Sequence, residues 1–598
     1  MAGQSIRRSQ FITTYGPGAI LEGPQGPRVI PTLGESGLFG PGRRAASDFE
    51  ITDRRLSAAL LHGASIVYLP SNAQLNLPES QELYATLPFP SWSLCARHRV
   101  VYHRVAGGAD RRACPRCEPL AREPDAWDMA RRQAIRFVMA CPSGHMNDVN
   151  WAGLPQHRRP DCRPAYLEWR GAGSALASIQ IVCPSCGGAA NLGAAYNRDW
   201  PCSGRRPEMG TGRGPCPEKA RMLQRGAANL RMAELHTALT IPPADTRLHR
   251  LLELGAIRAA VATDPPRDRA HLLEKVAQLV RANLLGATVE RELAGYPSGE
   301  VLAALEQLAG TSLPPDDRTL RAQEFDALLR ASVDGAPAQP SSIRGGPPQF
   351  EVDPYEVREI PGPRRRHLRI TPISRLRVVM VQTGYRRLDP LASTPVDCAY
   401  VDEGDRSWYP GVELYGEGLF ITLAPGDLRD GRHFPLVADL AWLQAWQAPD
   451  RFKQRVQTTL DADSLHPVFV WWHTLAHRLI NALSIDSGYS SAAVRERVYV
   501  SIDAEGRGLG GILLYTAQPG GDGTLGGMIA LVPTFERVLH RALHTIDACS
   551  NDPLCGEEEF RSGKSNGPAC YACQLVSETS CEVRNTRLDR RLLLENVP

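Results

Sequence analysis

Cys549-Ser550-Asn551-Asp552-Pro553-Leu554-Cys555, then Cys570-Tyr571-Ala572-Cys573, then Glu578-Thr579-Ser580-Cys581: five cysteines fall within the 33 residues from Cys549 to Cys581. The Cys-x-x-Cys knuckle can bring two thiolates to one tetrahedral ion while its turn aims backbone N–H groups at the sulfurs. Any four of Cys549, Cys555, Cys570, Cys573 and Cys581 would close such a site. Four thiolates also suit an iron–sulfur cluster, but structural zinc is the commoner use of one knuckle with distant partners. Buried free thiols are the plainer alternative, and five so close together argue against it.

The same logic reads the region from residue 91 to 220, which holds nine more cysteines. Cys95 and His98 precede Cys114-Pro115-Arg116-Cys117 by a hairpin's length, a zinc-ribbon pattern whose four side chains would close one site. A second set runs from Cys141-Pro142-Ser143-Gly144-His145 to Cys183-Pro184-Ser185-Cys186. His145 is its open member, since a histidine after a turn glycine is as often a surface residue as a ligand. Cys162, Cys202 and Cys216 are left without an assignment.

Fifteen cysteines in a chain of 598 residues are an odd number, and several sit in Cys-x-x-Cys pairs. Metal explains this better than disulfides. No apolar run is long enough to span a bilayer, and Met1 to Arg8 lacks the apolar core of a signal peptide, so the expected compartment is the cytoplasm with no membrane contact. The length suits about three or four domains. The net charge of +3 names no partner, and because Lys219, Lys275, Lys453 and Lys564 are the only lysines the positive charge is almost wholly arginine. Codon bias alone can produce that, so clustering of arginine carries more weight than abundance.

The expected fold class is mixed α+β and multidomain: an N-terminal zinc-ribbon-like β-rich region, a central helical region, and a C-terminal α/β domain with a Cys-rich zinc site. In the 1–90 segment, Tyr15-Gly16-Pro17-Gly18 demands a tight turn between two short extended pieces; Asp48 to Leu61 has helical spacing and Ser65 to Leu69 reads as a strand. From 221 to 333, helical spacing recurs at Leu235–Ala238, Arg247–Ala260, His271–Leu285, Ser298–Leu308 and Asp317–Ala331. Residues 334–349, rich in proline, glycine and serine, read as a linker before a domain over 350–598.

Past that linker, Pro361 to Arg387 carries Arg364, Arg365, Arg366, Arg369, Arg375, Arg377, Arg386 and Arg387 with no acidic residue. The alternation around Arg375 and Arg377 predicts a strand with arginines on one face, suited to the phosphates of nucleic acid. A solvated face paired with acids elsewhere fits the charge equally well. Val412–Leu423 reads as a further strand, and Arg497–Ile502 with Gly511–Thr516 as a hairpin. His473 and His477 lie on a helix at metalloprotease spacing, but Thr474-Leu475-Ala476 offers no glutamate between them, so they read as structural. Gly520 to Gly527 resembles a phosphate loop without the lysine that should follow, and Gly563-Lys564-Ser565 lacks the upstream glycine and strand of a P-loop. No Walker lysine, acidic helicase pair or nucleophile elbow is present, so no ATPase or other catalytic residue is expected.

Several segments together resemble the DrmB family, the helicase-associated subunits of the DISARM anti-phage defence system. They are Arg8-Ser9-Gln10 with Tyr15-Gly16-Pro17-Gly18, Cys141 to Trp151, Arg225-Gly226-Ala227-Ala228-Asn229, Thr383-Gly384-Tyr385-Arg386-Arg387, Gly416 to Phe420, His473 to His477, Gly523 to Gly527, and above all the cysteine-rich end through Leu588-Asp589-Arg590. The last third is similar to the domain that closes MrfA-type helicases, where such cysteines bind zinc. The resemblance implies a non-catalytic subunit that joins a separate superfamily 2 helicase, DrmA, and helps bind or load DNA. The alternatives are an architectural scaffold that never touches DNA, and a zinc hydrolase or nuclease in which Cys141, His145 and their neighbours leave one metal position open to water.

Overall fold

The computed structural model describes residues 5–23, 26–36, 38–39, 44–103, 114–117, 132–171, 175–210, 214–241, 247–252, 254–282, 284–310, 314, 316–336, 349–361, 367–388, 393–400, 407–425, 440–448, 462–518, 526–561 and 564–595. Most of the 334–349 linker and of the 520–527 glycine loop, and Arg364, Arg365 and Arg366, lie outside them. The chain is mixed α+β and forms two compact units, each from non-contiguous pieces. One comprises Met1–Glu50, Val67–His236 and Val381–Val412; the other comprises Ile51–Ile66, Thr237–Met380 and Glu413–Pro598. The long strands His367–Arg386 and Ser407–Leu423 each supply residues to both.

The first unit is β-rich. A six-stranded sheet runs in the order Ala189–Asn191, Gln180–Val182, Tyr166–Arg170, Val100–His103, Trp92–Cys95 and Arg132–Ala134. A four-stranded sheet runs Met146–Asp148, Phe137–Ala140, Lys219–Gln224 and Trp200–Pro201. The core between short strands such as these is small, with Trp151, Ile181, Leu192 and Met222 at its centre. Short strands supply few ladder bonds, so cross-links at their ends matter more than in a large sheet.

Near the start the structure departs from the expected pair of extended pieces: Arg8–Thr13 is a helix, and only the segment after the turn, Ile20–Gly23, is a strand. Gly18 in that turn has φ +79°, and a Cβ there would lie 2.7 Å from Tyr385 Cζ and 2.8 Å from Arg387 Nη2. Backbone strain and overpacking act together at this position. Gly18→Ala is therefore expected to destabilise the protein by about 1–3 kcal/mol or more. Thermal unfolding reads this directly, and a variant melting with the wild type would refute it.

The second unit begins with helices. Asp53, Asp268 and Asp316 accept from Leu56 N, His271 N and Thr319 N at 2.9, 2.8 and 2.8 Å, capping the helices Arg54–Leu60, Arg269–Arg281 and Asp317–Asp334. Leu248, Leu252, Ile257, Leu272, Val276 and Leu293 form the core of the helical bundle. Leu235–Ala238 is not helical, because Met232–Leu239 is a strand neighbouring His367–Arg386 in the large sheet. Four residues are too few to separate a 3.6-residue period from a 2-residue one, and sheet pairing decided.

That sheet continues through the antiparallel hairpin Val494–Ile502 and Gly508–Gln518, the latter paired with Ser407–Leu423. The helix Pro467–Asp486 lies across the hairpin, capped by His466, whose Nδ1 accepts from Val468 N at 3.2 Å. It approaches closely because Gly510 has no side chain: a Cβ would sit 2.2 Å from Trp472 Cδ1. From residue 544 to 589 the described chain contains turns and no helix or strand.

Candidate metal centres

Among the described residues, four tetrads of cysteine and histidine have one ligand atom each within 4.8 Å of all the others. The first is the expected ribbon. Cys95 ends the strand Trp92–Cys95, the tight turn to Arg99 returns the chain, and Cys114 and Cys117 sit on a knuckle closed by Cys117 N donating to Cys114 O at 3.0 Å. His98 Nδ1 lies 3.7, 3.8 and 3.3 Å from the sulfurs of Cys95, Cys114 and Cys117. Burial, reinforced by the Cys95 thiol, pushes Cys114 up to about 12. A cation supplies the charge that would let these thiols ionise together.

The second and third tetrads correct the sequence grouping. Cys141 and His145 do not meet Cys183 and Cys186; they meet Cys202 and Cys216, while Cys183 and Cys186 meet His157 and Cys162. The cause is sheet membership. The Cys141–His145 turn joins Phe137–Ala140 to Met146–Asp148, and that four-stranded sheet also contains Trp200–Pro201, followed by Cys202, and Lys219–Gln224, preceded by Cys216. Cys183 instead follows Gln180–Val182 in the six-stranded sheet. His145 faces inward, its Nδ1 3.4 Å from Cys141 Sγ.

His157 was not anticipated from sequence, although its spacing four residues before Asp161-Cys162 was a usable sign. Its Nε2 lies 2.7 Å from Ala152 O and must donate there, which leaves Nδ1, 3.3 Å from Cys186 Sγ, as the nitrogen that faces the sulfurs and could take a metal. Fixing the outer nitrogen on a carbonyl is how ligating histidines are oriented. The backbone N–H groups of Gly188 and Arg158 draw the Cys186 thiol down to about 6, which favours its thiolate form.

The fourth tetrad is Cys549, Cys555, Cys570 and Cys573, with sulfur separations of 3.5 Å for Cys549–Cys570, 3.7 Å for Cys555–Cys573 and 3.8 Å for Cys570–Cys573. Cys573 Sγ accepts from Cys570 N and Cys549 Sγ from Asn551 N, at 3.3 and 3.4 Å. Cys581 is not part of it; it lies with His473, His477 and Glu496. Cys398 belongs to none of the groups among the described residues.

The arginine strand is present, but its arginines do not form one solvent face. Arg377 is 1% exposed, held by Glu413, by Thr240 Oγ1 at 2.7 Å and by Thr52 O at 3.0 Å. Arg387 is fully buried against Glu208 at 3.0 Å, and donates to Gly144 O at 2.9 Å and Gly18 O at 2.7 Å. Arg386 pairs with Glu234, and Arg369 with Glu359 at 2.5 Å. Arg375 is exposed. Residues 376–382 are buried whichever way they point, so the strand is covered on both faces and its cations needed internal partners.

A family model described as a domain of unknown function (DUF8724) matches residues 7–232, and one described as the MrfA Zn-binding domain matches residues 475–574. The DISARM protein DrmB of Bacillus paralicheniformis is 26% identical over 568 residues, covering 88% of this chain and 91% of its own length. The chain resembles DrmB. The crystal structure of the DUF1998 helicase MrfA bound to DNA aligns with a TM-score of 0.19 and 13% identity, over 41% of this chain and 23% of that helicase. The DUF8724 match encloses the first three tetrads, and the MrfA Zn-binding match encloses the fourth. The chain is thus a zinc protein. Among the described residues no helix is long and apolar enough to cross a membrane.

Proposed function

We propose that this chain is a non-catalytic, zinc-braced subunit of a bacterial phage-defence complex, acting in the cytoplasm by docking on a superfamily 2 helicase of the DrmA kind and helping it bind or load DNA. The observation that carries this is the similarity to DISARM protein DrmB along 88% of the chain. In this reading Cys95, His98, Cys114 and Cys117; Cys141, His145, Cys202 and Cys216; His157, Cys162, Cys183 and Cys186; and Cys549, Cys555, Cys570 and Cys573 each hold one zinc ion. Four protein ligands per ion close the coordination sphere, which favours structural over hydrolytic zinc. No P-loop is present in the sequence, so the engine belongs to the partner.

A scaffold without DNA contact is the second reading, favoured by the inward pairing of Arg377, Arg386 and Arg387. Arg375 is exposed, and Arg364, Arg365 and Arg366 lie outside the described residues, so these four are the arginines on which phosphate contact is tested. The test is to copurify the tagged chain with its helicase and titrate DNA at several salt concentrations. The expected results are a stable complex, ATPase activity that follows the helicase alone, and, for the glutamine variant of those four arginines, a salt slope smaller by about one unit per lost phosphate contact. ATP hydrolysis by the chain alone would overturn the non-catalytic assignment. A variant that assembles and keeps the wild-type slope would favour the scaffold.

A further inference from the structure

His473, His477, Glu496 and Cys581 converge at a point where all four side chains are buried. The two histidines stand one turn apart on the helix Pro467–Asp486, Glu496 comes from the strand Val494–Ile502, and Cys581 comes from the turn-rich C-terminal segment. His473 Nε2 lies 2.9 Å from Glu496 Oε1 and 3.2 Å from Cys581 Sγ, and His477 Nε2 lies 3.4 Å from the same Glu496 oxygen. A tetrahedral zinc with bonds of about 2.0–2.3 Å spaces its ligand atoms about 3.3–3.8 Å apart, so the four atoms are already near the edges of such a polyhedron.

The protons decide what belongs there. His473 Nδ1 faces Arg587 O at 3.1 Å and His477 Nδ1 faces Gln574 O at 2.8 Å. A carbonyl only accepts, so both Nδ1 atoms carry hydrogen, and a neutral ring at either position presents a bare Nε2 lone pair to the carboxylate and the sulfur. Lone pairs facing lone pairs in a buried space repel unless a cation lies between them. Glu496 Oε2, meanwhile, is buried with no hydrogen-bond partner among the described residues. Two neutral imidazoles, one carboxylate and one thiolate balance a divalent ion to zero net charge, the condition under which a charged cluster tolerates full burial.

We propose that His473 Nε2, His477 Nε2, Glu496 and Cys581 bind a further structural zinc ion, distinct from the Cys549–Cys573 tetrad. The MrfA Zn-binding match, residues 475–574, takes in His477 and Glu496 but neither His473 nor Cys581. The glutamate missing between the two histidines in sequence is supplied by the adjacent strand. With four protein ligands the ion has no position for water, and its role is to fasten the C-terminal segment to the helix and the hairpin.

Crystals of the full-length chain, measured on both sides of the zinc absorption edge, are expected to show an anomalous peak enclosed by these four side chains. A peak at Cys549, Cys555, Cys570 and Cys573 with none among His473, His477, Glu496 and Cys581 would overturn the assignment and leave a buried imidazolium–carboxylate pair in its place. Native mass spectrometry of Cys581→Ser and His477→Gln should count one zinc fewer than the wild type, and an unchanged count in either soluble variant would equally refute it. If both variants fail to fold, the wild-type anomalous map alone decides between zinc and the ion pair.

Discussion

Replacing Cys570 and Cys573 together by serine is expected to leave the C-terminal segment unfolded and the protein insoluble or expanded, rather than to give a soluble protein with one activity missing. Residues 544–589 contribute no helix or strand among those described, so few backbone ladders hold this stretch. The hydrogen bonds that help order it include Cys573 N donating to Cys570 O at 3.1 Å and Asn585 Nδ2 to Val576 O at 2.9 Å within the segment, and Arg478 Nη1 of the helix Pro467–Asp486 to Cys573 O at 3.1 Å. Each is worth about 1 kcal/mol net. Zinc bound by a closed site contributes on the order of 10–16 kcal/mol, as much as or more than the roughly 5–15 kcal/mol by which a whole domain is stable. The metal therefore dominates, and neighbouring hydrogen bonds cannot compensate for its loss. Zinc analysis with size-exclusion chromatography checks this: a compact, monodisperse double variant that has lost one zinc ion would show that the segment folds without it.

How far the sequence could be read depended on whether a feature is local. Cys114-x-x-Cys117 and Cys570-x-x-Cys573 are legible because two ligands share one turn, whose geometry four residues determine. Which pairs combine is not local. Cys141 and His145 take Cys202 and Cys216 over the nearer Cys183 and Cys186 because strand order within a sheet, not distance along the chain, brings the partners together. The alternation at Arg375, Leu376, Arg377 and Val378 correctly implied a strand, but a period of two cannot say whether the second face meets water or protein. Glu413 and Thr240, which hold Arg377, lie far from it in sequence. The His473–His477 pair shows the same limit, since a search for glutamate between the histidines had no means of finding one at Glu496.

For Arg387 the two physical roles predict opposite signs, which makes Glu208→Gln the sharper experiment than any change to the arginine itself. Were Arg387 a phosphate contact, removing a nearby negative charge would strengthen binding to DNA and leave folding unaffected. In the structure both side chains are 0% exposed and 3.0 Å apart, with Tyr385 OH also donating to Glu208. Gly144 O and Gly18 O remain as the other acceptors for the guanidinium. The amide would leave a full buried charge with dipoles alone around it, a loss of about 3–5 kcal/mol by the measure of broken buried pairs. For a unit of this size that corresponds to a melting temperature lower by on the order of 10 °C. Because Gly144 sits in the turn between Cys141 and His145, the same substitution should also loosen the second tetrad and speed zinc release to a chelator from that site. A Glu208→Gln protein that melts with the wild type and binds DNA more tightly would return Arg387 to the nucleic-acid surface.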